Sequence, residues 1–307
     1  MAIAIIDPAG DIIANCAGSK FQVSSNALSL ASPVFRAMLT PGFKKSLPVD
    51  KDLSRLPVIE VDHALPSTFA LFSDVVHHIL EPSPVSLKPG FLHDLALFVE
   101  HYRCQEAMKD RGVMWLKNAC NGEDLWNMLM FTYAMRLPWY FKEASSLLVT
   151  VIGKARRFRP SSLARDTVLI PAHAIDLLDN KLETLREKTE SAIMDLLKNI
   201  AAHSCSNYEA QLCAWFEYLS MRDLLPGSVG YQSFSFQDIH TAAKTLPDGK
   251  QSEIDDCDCP DLLGIVQRER LLAKLSSLWN IDDLGLCLSC VKDQRCEDHD
   301  EETDEDD

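Results

Sequence analysis

Three short strand-like runs stand before anything helical in this chain, and two clusters of turn residues hold them apart. Residues 4–7, 11–16 and 20–23 carry the strand pattern, while Pro8-Ala9-Gly10 and Ala17-Gly18-Ser19 supply turn chemistry. A chain that begins this way must pair its strands into a sheet and then cover that sheet. The cover follows at once. Ser24-Ser25-Asn26 offers oxygens that can cap a helix, and Ala27, Leu28, Leu30 and Ala31 are the apolar residues of the helix they start. Ser32-Pro33 ends it, because proline drives the preceding residue out of the helical region. Proline is tolerated at the opening of a helix, so residues 34–39 read as a second short one.

Residues 40–57 read as a loop and Val58-Ile59-Glu60-Val61 as a fourth strand. Pro66 opens a helix that sets Phe69, Phe72, Val75, Val76 and Ile79 on one face. Proline-rich residues 81–89 interrupt, and a second helical stripe follows in Phe91, Leu95, Phe98, Val99 and Tyr102, then Met108, Val113 and Leu116. From about Gly122 the pattern is wholly helical. Asp124 can cap residues 125–135, and Pro138 opens 139–152. After the linker Arg159-Pro160-Ser161-Ser162, Pro171 opens a long helix reaching about Ile200. Its stripe includes Ile175, Leu178, Leu182, Leu185, Ile193, Leu196 and Ile200, but Thr189 falls where a coiled coil wants an apolar residue. A packed amphipathic helix is therefore expected rather than a zipper. Shorter helices are expected over 211–219, 236–244 and 262–278, with a polar loop at 247–260 and a compact end at 281–290. No internal repeat is visible.

The order of three strands, two short helices, a strand and paired helices resembles the BTB/POZ fold. The match is carried by Asp11-Ile12-Ile13, by Phe21 to Leu28, and by Ala31-Ser32-Pro33-Val34-Phe35-Arg36-Ala37-Met38-Leu39, which is similar to the family's S-x-x-F-R-A-M signature. Pro66-Ser67-Thr68-Phe69 and Leu95 to Cys104 resemble two further family helices. The resemblance covers about residues 4–118 and implies an α+β domain, a small mixed sheet flanked by helical hairpins, built for docking proteins. Phe35 and Met38 read as core groups and Arg36 as an exposed position. Phe35, Met38, Leu39 and Phe43 mark the candidate interaction segment.

Two departures bear on partners. Many animal members place histidine and a basic residue at the positions of Ser24 and Ser25; that basic residue, with an acidic one near Asp11, lines a charged pocket at their dimer interface. The basic residue is absent here, although a homodimer through the BTB domain stays an option. Members that recruit a cullin scaffold carry an apolar-x-Glu motif after the second helix. Here Phe43-Lys44-Lys45 puts lysine where the carboxylate belongs, an inversion that opposes a cullin-type ubiquitin-ligase adaptor role. The remainder resembles the helical extension of filamentous-fungal BTB proteins. The expected organisation is a BTB/POZ domain over 1–118, a helical hairpin extension over 119–158, an all-α region over 159–292 and a disordered acidic tail over 293–307.

Charge bears on the class of partner. The net charge is −15, but the last eleven residues hold nine acidic groups and no basic one, and without them it falls to −6. A mildly acidic body with no basic stripe argues against direct nucleic-acid binding. The best basic cluster, Lys154, Arg156, Arg157 and Arg159, reads first as a solvated helix end and second as a nuclear-import or anionic-surface patch. The tail has no aliphatic or aromatic residue after Val291, so it reads as a solubilising segment or a lure for basic proteins. No run of apolar residues approaches a membrane span, and Met1 to Ile6 is too short for a signal peptide. Ten cysteines without a secretion signal imply reduced thiols, hence cytoplasm or nucleus.

The cysteines admit one more site. Zinc wants four soft ligands in a tetrahedron. His203, Cys205 and Cys213 could join Cys257 and Cys259 as a structural staple, or Cys287 and Cys290 could found a separate site; otherwise these are ordinary thiols. No GxSxG, P-loop, dinucleotide fingerprint or HExxH motif is present, and no catalytic or cofactor-binding residue is expected.

Overall fold

The computed structural model describes residues 2–40, 56–79, 87, 89–118, 125–151, 169–202, 208–245 and 264–293. It divides into two compact units: Met1–Phe141 with Ala164–Ile170, and Lys142–Leu163 with Pro171–Asp307.

In the first unit β2 (Ile12–Cys16) and β3 (Ser19–Val23) form an antiparallel hairpin that pairs Cys16 with Ser19. Only Ala17 and Gly18 lie between, with φ of 47° and 86°. Left-handed conformation at both central residues gives a tight turn whose twist matches the strands it joins; glycine adopts it freely and alanine at a steric cost. β1 (Ile3–Ile5) lies parallel to β3, and β4 (Val58–Val61) parallel to β2, so the sheet order is β1-β3-β2-β4. The sheet is mixed, as the resemblance implies, and its four strands answer to the four strand-like runs of the sequence.

Helices α1 (Ser25–Ala31) and α2 (Pro33–Leu39) follow β3. Ser24 Oγ accepts from the Ala27 N–H and caps α1. Ser32 closes α1, caps α2 by accepting from the Phe35 N–H at 3.1 Å, and donates its own hydroxyl to the Tyr102 carbonyl at 2.5 Å. One small buried residue thus fixes the corner between two helices and ties it to a third. That third is α4 (Pro89–Tyr102), which follows α3 (Pro66–Val76) and precedes α5 (Gln105–Asn118), α6 (Leu125–Ala134) and α7 (Pro138–Val151), of which the residues from Lys142 onward belong to the second unit.

The core of this unit is aromatic. Phe35 stacks on Tyr102 with centroids 4.5 Å apart and ring planes 6° from parallel, and it also stacks with Phe72 at 5.7 Å. Phe69 and Phe98 extend the cluster, and Phe21 reaches it from β3. Offset and tilted rings at these separations add favourable quadrupole contact to their burial. The polar end of Tyr102 is also used: its hydroxyl donates to the Asp62 carbonyl at 2.6 Å.

The second unit is mainly helical. Its spine is α8 (Ala172–Ala201), thirty residues and about 45 Å of helix. It packs against α9 (Tyr208–Met221) and α12 (Gly264–Leu278), with α10 (Val229–Ser233), α11 (Phe236–Lys244), α13 (Ile281–Leu284) and α14 (Leu288–Asp293) completing the unit. Thr189 is buried in the α8 stripe and donates its hydroxyl to the Leu185 carbonyl at 2.6 Å. Bonding back to its own helix lets a polar residue occupy an apolar position. The stripe is therefore continuous enough to pack, as the spacing implies. Among the described residues no helix is long and apolar enough to cross a membrane.

Candidate interaction surface

β1 is one edge of the sheet, and all three of its residues are exposed. Ile3 is 47% and Ile5 64% accessible, although both are large aliphatic groups that a chain normally hides. Leu30 on α1 is 72% accessible, and Leu56, Val58, Leu65 and Ile79 of the same unit are also exposed. An edge strand presents unpaired backbone N–H and C=O groups, and exposed Ile side chains beside them do nothing to repel a second strand.

Next to the sheet sits a polar clasp. Asp11 accepts from the Ser25 N–H at 2.7 Å through Oδ1 and from the Ser25 hydroxyl at 2.6 Å through Oδ2. Partial burial works against the charged carboxylate, but these hydrogen bonds outweigh it and hold the Asp11 carboxyl below its usual range. Ser25, standing where the resemblance implies a basic residue, thus satisfies Asp11 within the chain. One residue earlier, the Ser24 N–H donates to His77 Nε2 at 3.0 Å, while His77 Nδ1 lies 2.8 Å from the Ser73 carbonyl. Both contacts are met only by a neutral ring carrying its proton on Nδ1. His77 therefore has a structural task, fastening the end of α3 to the start of α1.

The segment marked by sequence divides. Phe35 is fully buried and Met38 buried, so both hold the core, and neither offers surface to a partner unless the core opens. Leu39 is half-buried, and Phe43 lies outside the described residues. Arg36 is exposed, as its place in the motif implies, and its Nε donates to the Ser29 carbonyl at 3.1 Å. The exposure of β1 was not legible in the sequence, because three aliphatic residues in a strand look the same whether they face a core or solvent.

Of the five zinc candidates, only Cys213 is described, exposed on α9. His203, Cys205, Cys257 and Cys259 lie outside the described residues. Cys287 and Cys290 are half-buried. Among the described residues no group of three or more His, Cys, Asp or Glu side chains could hold a metal ion. Two thiols of the first unit are inert by burial, which pushes Cys16 up to about 11 and Cys104 up to about 12. Cys16 Sγ also donates to the Ala64 carbonyl at 3.2 Å.

No protein-family model matches this chain, and no curated protein does.

Proposed function

We propose that the chain is a protein-interaction module of the BTB/POZ type, without chemistry of its own, and that it docks through the open edge of β1. One observation carries the reading. The succession hairpin, two short helices, strand and further helices closes on an aromatic core, and it leaves at the sheet edge a strand whose every residue is exposed. Addition of a partner strand to such an edge gains affinity from main-chain hydrogen bonds and specificity from alternate side chains. Ile3 and Ile5 are the alternate side chains here, both on one face by the two-residue period. The Asp11–Ser25 clasp keeps the neighbouring carboxylate occupied, so recognition rests on apolar contact and backbone pairing rather than on a charged pocket. The helical second unit offers a further protein-binding surface, and the abundance of thiols suits a reducing compartment, cytoplasm or nucleus.

The test uses the full chain as bait in extracts of its source cells, in its natural form and as the double variant Ile3→Asp/Ile5→Asp. The natural form retains a discrete set of proteins, which can include further copies of itself, and the variant loses that set. Identical sets from the two baits overturn docking through β1. The cullin-adaptor alternative has no observation in its favour among the described residues, since Phe43-Lys44-Lys45 lies outside them.

A further inference from the structure

The second unit contains a recess beside α8 whose walls include Leu182, Leu185, Arg186, Glu190, Tyr231 and Ile239. Its cavity volume is about 20 Å³, and its mouth opens to solvent. The enclosed end therefore admits about one water-sized group, such as a single carbonyl oxygen, with the atoms attached to it lying toward the mouth.

Two hydrogen-bonding groups in this wall are unused. Tyr231 is only 5% accessible, and its hydroxyl has no hydrogen-bond partner among the described residues. Arg186 Nη2 is likewise buried and without a hydrogen-bond partner among them. Buried polar atoms in folded proteins are nearly always bonded, so an orphaned pair in one recess points to an absent occupant. Both act here as donors. Burial first, and then the Glu190 charge, push the Tyr231 phenol upward, so it keeps its proton. A guanidinium has no acceptor to give. The missing partner is thus an acceptor oxygen.

Charge decides what kind of oxygen. Arg186 Nη1 already lies 3.8 Å from Glu183 Oε2, and Glu190 lines the same recess. Glu190 in the lining balances Arg186, and Glu183 engages the same guanidinium from the solvent side, so the recess has no net positive charge to hold a further anion. A neutral carbonyl needs no such charge, and the leucine and isoleucine side chains suit short aliphatic carbons on either side of it. We propose that the recess is a binding site for a small neutral amide, its carbonyl oxygen accepting from Tyr231 Oη and Arg186 Nη2 and its carbons lying against Leu182, Leu185 and Ile239.

The test follows the methyl resonances of those three aliphatic residues in the full chain during titration with N-methylacetamide and, separately, acetate. N-methylacetamide shifts them saturably, and acetate binds at least about tenfold more weakly. Tyr231→Phe weakens amide binding about tenfold, the equivalent of one lost hydrogen bond to a buried partner. Arg186→Met, with the same expectation, carries the reading if the phenylalanine variant fails to fold. Free amides and amide side chains share this chemistry. A tripeptide with a central glutamine that outbinds N-methylacetamide assigns the site to a protein ligand, and one that binds less well assigns it to a free small amide. Absence of saturable shifts, acetate binding as tightly as the amide, or folded variants that bind as the natural chain does, each overturns the proposal.

Discussion

Asp11, Ser25 and His77 show how single side chains hold the start of α1 in place. The Asp11 carboxyl is lowered in the folded chain, so its contribution is fully present above the range of a free carboxylate, near 3.8, and is lost as pH falls through its lower folded value. Asp11 is largely exposed, and solvent screening holds the effect below about 1 kcal/mol. Asp11→Ala is therefore expected to lower the melting temperature slightly at pH 7, and by progressively less as the pH is taken below the free-carboxylate range. His77→Leu removes the acceptor for the Ser24 N–H and is expected to cost about 1–2 kcal/mol, read from urea midpoints. Thiol chemistry is also decided residue by residue. Cys213, exposed, is expected to take up iodoacetamide in the folded chain well before Cys16 and Cys104, as peptide mass spectrometry can show.

Ser32 is the hinge between elements. It ends α1, caps α2 and bonds the last carbonyl of α4, so Ser32→Ala both uncaps a helix and strands a buried carbonyl. A loss of about 2 kcal/mol is expected from denaturant melts. By contrast, Lys274 Nζ and Asp195 Oδ2 bridge α12 and α8 at 2.5 Å in an exposed setting, and Lys274→Met is expected to leave the melting temperature unchanged. Much of this element plan was legible in sequence. Residues 58–61 and 236–244 match β4 and α11, because Pro57 precedes the first and Ser235 closes a capping box with Asp238 on the second. The long helix was legible from Pro171 and its apolar period. What was not legible depends on distant partners. The strand expected at 4–7 is observed at Ile3–Ile5, since pairing with Lys20 to Gln22 sets its register and Asp7 turns away to accept from the Ala9 N–H. α10 was missed because five residues around Gly230 carry no period; Gly230 is required there, as a Cβ would lie 2.2 Å from the Asp223 side chain. The Tyr231 and Arg186 recess was hidden for the same reason: forty-odd residues of chain separate its two donors.

Each of the two units has its own core. In the first, six aromatic rings centred on Phe35 replace the long apolar stripe that α8 supplies in the second. Phe35→Ala is expected to cost about 3–5 kcal/mol and to speed hydrogen exchange first in β2, β3 and α4. The folding of a sheet with one aliphatic edge left open is the feature that joins this architecture to its proposed use. The most direct measurement of that use places a photoreactive side chain at position 5 of β1 in the full chain and irradiates it in its source cells. The account predicts a discrete adduct joining β1 to a strand of a second polypeptide, whether another copy or a different protein. Recovery of uncrosslinked chain alone, under conditions where the same probe on a known edge-pairing strand reacts, contradicts it.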